Sequence, residues 1–182
     1  MTPARPNVIH YTGHRISGAT LHTGFPADQE SRVADAIAAT LDGLRPVAGL
    51  GSLAAGADIL IAEALISRRV ALHLVFPFGI RTFRSMSVQP SGAAWLDRFD
   101  LVLPQATTVK ILRGRPTEDD AFGRCTKIAI DAALKTAASL QAEPLQIAIW
   151  DGKATTLTAG TAADVAQWRS RGWPARIISP VP

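Results

Sequence analysis

Short apolar runs alternate with segments of helical periodicity along the chain, and this alternation limits the fold more than any other feature. Strands are predicted at residues 8–12, 46–50, 71–76, 109–112, 145–150 and 176–178. Apolar residues run continuously through these strands, which is typical of a parallel sheet covered on both faces. The sequence therefore predicts an α/β fold: a doubly wound, mainly parallel sheet with helices on both faces.

Length and composition favour one globular domain covering residues 1–182. Charged residues make up 19% of the chain and hydrophobic residues 47%, a balance that excludes a disordered polypeptide. We find no apolar run long enough to cross a membrane and no secretory signal pattern. The single cysteine, Cys125, excludes an internal disulfide and a cysteine-cluster metal site. We expect a cytoplasmic protein without a metal or cofactor and without a membrane partner.

The net charge of +4 raises the question of nucleic-acid binding. Arginines are scattered along the chain, and aromatic residues, only 6% of the total, are not interleaved with basic ones as a stacking platform requires. We therefore expect a mildly basic solvated surface and do not expect nucleic acid as a partner.

The run GLGSLAAGAD, residues 49–58, follows the second predicted strand and precedes a helix. Such a turn allows close backbone approach to an anion at the helix N-terminus. Its glycine spacing matches neither the dinucleotide fingerprint nor the nucleotide-triphosphate loop. Two interpretations remain open: an anion-binding loop, in which the hydroxyl of Ser52 is a hydrogen-bonding group, or a tight turn with no ligand.

Two carboxylates follow in the same predicted helix. Asp58 lies in its first turn, where it would repel an anion, so we expect it to cap the helix, brace the loop or accept a sugar hydroxyl. Glu63 lies about 140° further around the helix, so the two do not form an acid/base pair on one face. Glu63 is either an inward carboxylate with a partner or a ligand-facing one.

Polar residues also follow the first and fifth predicted strands. Gly13-His14-Arg15 would meet a phosphate through a guanidinium and a ring N–H, or would form an ordinary surface loop. Asp151 follows the fifth strand, and Gly160-Thr161 opens the last helix. This second helix N-terminus would lie at the same edge of the sheet, which suits a ligand with more than one phosphate.

Taken together, these segments resemble the SLOG superfamily, which groups Rossmann-like domains related to the DNA-processing protein A core and to the LOG phosphoribohydrolases. The resemblance covers nearly the whole chain. Its motifs are GHR at 13–15, FP at 25–26, GSLAAGADILIAEAL at 51–65, LVFPF at 74–78, SV at 87–88, W-x-x-RF at 95–99, WDG at 150–152 and GT-x-x-D at 160–164. The most similar members are sensors of nucleotide-derived ligands, including parts of bacterial antiphage proteins.

The resemblance implies a pocket built from the loops after the strands, with Phe78 as a base-stacking wall beside Pro77. The ligand-binding residues would be Gly13, His14, Arg15, Gly51, Ser52, Leu53, Gly56, Asp58, Glu63, Pro77, Phe78, Asp151, Gly160 and Thr161. It also implies a homo-oligomer and an associated effector domain or protein.

The sequence departs from the hydrolytic LOG enzymes at their P-G-G-x-G-T-x-x-E motif. Gly160 and Thr161 match, but Asp164 stands in place of the glutamate and no arginine lies shortly upstream. Our first hypothesis is therefore a sensor domain for a nucleotide or nucleotide-derived second messenger, with no catalytic residues. The alternative is N-glycosidic hydrolysis of a nucleoside 5′-monophosphate, with Asp151, Asp164 or Glu63 as the acid. A third hypothesis is single-stranded DNA binding.

Overall fold

The computed structural model describes residues 5–20, 24–117, 120–154 and 159–181. Within these ranges the chain forms six strands and six α-helices. The strands are β1 (Asn7–Gly13), β2 (Pro46–Gly51), β3 (Ala71–Phe76), β4 (Thr108–Ile111), β5 (Glu143–Ile149) and β6 (Ala175–Ile178). The helices are α1 (Glu30–Asp42), α2 (Ala57–Ser67), α3 (Ile80–Ser87), α4 (Ala93–Val102), α5 (Ala121–Ser139) and α6 (Thr161–Arg169), and single 3₁₀ turns lie at Ala27–Gln29, Gln89–Ser91 and Leu103–Gln105.

All six strands form one parallel sheet in the order β4-β3-β2-β1-β5-β6. The chain moves outward from β1 to β4 and then returns to add β5 on the other side of β1. This reversal creates a switch point between β1 and β5, beside which ligands of doubly wound sheets bind. The predicted Rossmann-like, doubly wound architecture is confirmed.

Helices cover both faces of the sheet because β1 is apolar on each side. Ile9 and Tyr11 belong to the larger core cluster, which includes residues of α1, α2 and α4. Val8 belongs to a second cluster with residues of α5 and α6. On that second side, the ring of His10 stacks on Trp168 of α6 with the centroids 5.3 Å apart. His10 is therefore a packed core histidine, as its place within a strand predicts.

The outer strand β4 does not fit the prediction that the strands are buried on both faces. All four residues of β4 are exposed, because an outer strand has a neighbour on one side only. Helix α3 is also a new element that the apolar pattern does not indicate. Its sequence, IRTFRSMS, buries only Phe83 and Ser87. In the part of the chain that the structure describes, no helix has the length and apolarity needed to cross a bilayer.

Candidate functional site

A cavity of about 620 Å³ opens at the carboxyl ends of the central strands. This volume falls within the range of about 300–1,000 Å³ that is usual for small-molecule sites. Residues that follow β1, β2, β3 and β5 line it, together with residues of α3, α5 and α6. The cavity therefore lies beside the switch point, where the fold places ligands.

The glycine-rich run packs against the protein more than it opens toward the cavity. Gly56, with φ 99°, is the N-cap of α2, and a Cβ there would come within 3.0 Å of the His14 carbonyl oxygen. The backbone N–H of Ala57 donates to that same oxygen at 3.2 Å. The α2 N-terminus is thus partly occupied by the chain itself, and packing accounts for this glycine without a ligand.

Helix α6 presents a different N-terminus. Its N-cap is Gly160, with φ 104°, and no side chain caps the helix. Within the described residues, no backbone acceptor is recorded for the amides of residues 161–163. Gly160 and Thr161 both line the cavity. The absence of a side-chain cap among the described residues and the positive dipole end make this the better anion site of the two.

His14 connects the two sides of the switch point. Its Nε2 lies 3.1 Å from Oδ1 of Asp151, and its Nδ1 lies 3.5 Å from the hydroxyl of Thr161. The backbone amide of Lys153 also donates to Asp151. Partial burial acts to raise the pKa of Asp151, but the hydrogen bonds from His14 and Lys153 outweigh it, so the pKa is lowered. Asp151 is therefore ionised at neutral pH and is a poor proton donor.

The floor of the cavity carries two buried carboxyl groups. They belong to Asp58, which is 8% exposed, and to Asp164, which is 9% exposed. Asp58 accepts a hydrogen bond from the amide of Ala54, which braces the glycine-rich loop. Asp164 accepts from the hydroxyl of Thr12 at 2.6 Å. Among the described residues, neither carboxyl forms an ion pair with a lysine or arginine.

Burial without a neighbouring cation shifts the pKa values of both carboxyl groups of the floor in the same direction. It raises the pKa of Asp58 to about 7, against the opposing hydrogen bond from Ala54 and with the charge of Asp164 adding to it. Burial also raises the pKa of Asp164, although the hydroxyls of Thr12 and Thr126 oppose the shift. A proton on Asp58 near neutral pH would make it a hydrogen-bond donor toward a ligand.

Arg15 brings a positive charge to the cavity wall. Its Nη1 donates to the carbonyl oxygen of Met86 at 3.1 Å, which fixes the side chain between β1 and α3. Burial lowers the pKa of this guanidinium, which stays charged at neutral pH because its ordinary pKa is above 12. Together with Lys153, it gives the described lining two permanent cations.

The end of the cavity near β3 is apolar. Val75, Pro77 and Phe83 are buried there, and Phe122 and Met86 are partly exposed. Cys125 also lines this end, where its thiol donates to the carbonyl oxygen of Val75 at 3.4 Å. Burial raises the pKa of this thiol to about 12, which removes its thiolate reactivity at neutral pH.

Ten of the fourteen residues predicted for the ligand site line this one cavity. They are Gly13, His14, Arg15, Gly51, Ser52, Asp58, Pro77, Asp151, Gly160 and Thr161. The Ser52 Oγ is buried and has no hydrogen-bond partner among the described residues, so it is available to a ligand.

The remaining four predicted residues lie outside the lining. Leu53 is a fully buried core residue, and Gly56 packs on the chain as described above. Phe78 is only 2% exposed, with its ring between those of Phe83 and Phe122, so it does not offer a stacking surface. Glu63 is the inward carboxylate of the two alternatives left open, because both of its oxygens accept hydrogen bonds from Arg98.

The sequence did not single out several residues that line the cavity: Thr12, Met86, Phe122, Thr126 and Lys153. Thr12 was the most accessible to sequence reasoning, because it ends an apolar strand beside the glycine of GHR. Over the described ranges, no group of three or more histidine, cysteine, aspartate or glutamate side chains is arranged to hold a metal ion. His22 falls outside the described residues.

No protein-family model matches the sequence, and no curated protein matches it significantly. Two solved structures match most of this chain at low sequence identity. Both are DNA processing protein A. The protein from Streptococcus pneumoniae is 12% identical, with a TM-score of 0.39 over 94% of this chain, and the protein from Helicobacter pylori is 11% identical, with a TM-score of 0.40 over 96%. The chain spans 58% and 76% of those two proteins.

These matches do not bear on the nucleotide-sensing branch of the resemblance. The Helicobacter protein is described by its single-stranded DNA binding mode. The expectation that nucleic acid is not a partner is contradicted by this finding, and we withdraw it. The physical reason is that the spacing of arginines along a sequence does not fix how they cluster on a folded surface.

Proposed function

We propose that this chain is a binding domain for a nucleotide or a nucleotide-derived second messenger. The observation that carries the proposal is that one cavity has two chemically different ends. Toward α6, the N-terminus of the helix lies beside His14 and Lys153, and Arg15, held against α3, adds a further cation to the lining; this set is suited to phosphate oxygens. Toward β3, the lining is apolar and suits a planar base.

The acidic floor between these two ends suits a sugar. Asp58 and Asp164 are buried without a cation, so a free carboxyl oxygen there gains from a ligand that offers hydroxyl donors. The proposed output of binding is a change of oligomeric state or of an associated effector. A cytoplasmic location and a single domain of residues 1–182 are part of the same proposal.

A second candidate function, N-glycosidic hydrolysis, is favoured by one observation. The pKa of Asp58 is about 7, which is suited to a general acid at neutral pH. Of the acids considered from the sequence, Glu63 is paired with Arg98 outside the cavity and Asp151 has a lowered pKa. Of those three acids Asp164 remains, and the structure adds Asp58 as a second carboxyl group that could act on a bound ligand.

A thermal-shift screen tests the two candidates together, with each mixture analysed afterwards by mass spectrometry. The ligands are linear and cyclic nucleotides, NAD-derived metabolites and a single-stranded oligonucleotide. A ligand that prefers the native state raises the melting temperature, so a shift with intact nucleotide is the expected result. Release of free base and ribose phosphate would replace binding with hydrolysis as the function.

The single-stranded oligonucleotide in this screen tests the third hypothesis, single-stranded DNA binding. Binding of the oligonucleotide with a steep loss of affinity as salt rises, and no response to free nucleotides, would overturn the small-ligand proposal. Arg15→Ala should abolish most of the nucleotide-induced shift, because it removes a cation from the lining. Arg81→Ala on the exposed face of α3 is the matched control and should leave the shift unchanged.

A further inference from the structure

The apolar end of the cavity carries an exposed aromatic ring. Phe122, in the first turn of α5, lines the cavity with 38% of its surface exposed. Its ring meets that of Phe78 edge to face, with centroids 5.5 Å apart and an interplanar angle of 85°. Phe78 is in turn buried against Phe83. A ring supported in this way offers a fixed surface at little further entropic cost.

A second apolar side chain reaches the same end of the cavity from a different helix. Met86 of α3 lines the cavity and is 41% exposed. Its backbone oxygen accepts the hydrogen bond from Arg15, which fixes the position of this part of α3. Thioethers adapt to aromatic groups and contact them favourably. Partly exposed apolar side chains from α3 and from α5 thus both line the cavity.

The position of this apolar end in the sheet separates it from the anion-binding end. β3 is two strands away from β1, and neighbouring strands lie about 4.8 Å apart, so the carboxyl ends of these two strands are about 10 Å apart. A ligand that fills both ends must join an anionic group to a flat apolar group through a polar spacer. Nucleotides have this arrangement, with a ribose as the spacer.

We propose that Phe122 is the surface on which the base of the ligand stacks, with Met86 as a second apolar contact. This inference rests on the proposed nucleotide function and adds to it the position of the base. It replaces Phe78, whose ring is buried, as the stacking residue. The preference for one base over another would then depend on the shape of the cavity around Phe122. The side chains of Phe122 and Met86 have no hydrogen-bond donor that could discriminate among the bases.

The test compares affinities for the four common nucleoside 5′-monophosphates and for ribose 5-phosphate, measured by calorimetry on the whole chain. Phe122→Ala should weaken the binding of at least one nucleotide about tenfold or more, the size expected for a lost stacking contact. The same variant should leave the affinity for ribose 5-phosphate unchanged, because that molecule has no base. Phe122→Trp should retain nucleotide binding, and Met86→Ala should weaken it in the same selective way.

Trp173→Ala is the matched control, because Trp173 is 42% exposed and is not part of the cavity lining. Nucleotide affinity that survives Phe122→Ala overturns this inference alone. Equal weakening of nucleotide and ribose 5-phosphate also overturns it, because it indicates a structural role for the ring. A wild-type protein that binds neither these ligands nor any nucleotide of the thermal-shift screen overturns the proposed function, and this inference with it.

Discussion

The hydroxyl of Thr12 donates a 2.6 Å hydrogen bond to Oδ2 of Asp164, and this contact joins the central strand β1 to the last helix, α6. The two residues are 152 positions apart in the chain. Because Asp164 is nearly buried, the hydroxyl is one of the few groups that stabilise its charged form. The bond therefore holds α6 against the sheet and also fixes the position of Asp164 in the floor of the cavity.

Replacing Thr12 by valine keeps the shape of the side chain and removes this donor. We expect the free energy of unfolding at neutral pH to fall by about 1–3 kcal/mol, because a buried acceptor loses its partner. Urea denaturation followed by circular dichroism measures the change. Thr82→Val on the exposed surface of α3 is the control, and an equal effect of both variants would contradict the role assigned to Thr12.

Asp58 should make stability depend on pH between about 4 and about 7. An unfolded aspartate has a pKa of about 3.9, whereas burial raises the folded value to about 7. Between these values the folded protein holds a proton that the unfolded chain has lost. The free energy of unfolding should therefore fall as pH rises, by up to about 1.4 kcal/mol per pH unit, and level off above about pH 7.

Asp58→Asn tests this dependence, because the amide cannot ionise. Denaturation of the variant across the same pH range should show a shallower decline than that of the wild type. The remaining slope includes Asp164, whose pKa is also raised by burial. Asp28→Asn in an exposed turn serves as the control. Parallel curves for the wild type and Asp58→Asn would show that Asp58 does not retain its proton.

Gly13→Ala should destabilise the protein by about 1–3 kcal/mol, the usual cost of inserting a methyl group into a packed site. A Cβ at this position would overlap the Cβ of Ala57 and lie 2.8 Å from that of Ile149. Thermal unfolding measures the loss. Gly79→Ala is a suitable comparison, since a Cβ there would meet nothing within 4 Å, and it should change stability by at most a few tenths of a kcal/mol.

Glu63→Gln should lower stability while leaving ligand binding unchanged. Arg98 donates to both oxygens of Glu63 and to Glu30, and its guanidinium lies 4.1 Å from the ring centroid of Trp95. Removing one charge from this partly exposed network should cost about 1 kcal/mol. Asp42→Asn, which breaks a more exposed pair with Arg68, should cost less. A loss of nucleotide affinity in Glu63→Gln would return this residue to the binding site.

Local patterns in the sequence predict much of the architecture. The continuous apolar runs identify all six strands to within a few residues. Helix α3 is not predicted because its short sequence is mostly polar, and only packing against α4 and the sheet makes it helical. The exposure of β4 follows from its position at the edge of the sheet. That position is set by the order of the strands, which the local sequence does not show.

The candidate site is predictable where a residue directly follows a central strand. His14 and Asp151 meet this condition, but their contact requires β1 and β5 to be neighbours, a pairing that no local pattern shows. Phe78 and Phe122 illustrate the limit of such reasoning. Which of the two rings faces the cavity depends on how α3 and α5 close over the end of β3.

The pairing of β1 with β5 has a consequence for how the protein is made. Asn7 aligns with Glu143 and Gly13 with Ile149, so the central strand acquires one of its two neighbours only after most of the chain has left the ribosome. Contacts between such distant segments slow folding. Until β5 is added, one edge of β1 stays open, and a truncated chain would expose it to other chains. Binding at this cavity is therefore acquired late in synthesis, and no amino-terminal fragment that lacks β5 and α6 would possess it.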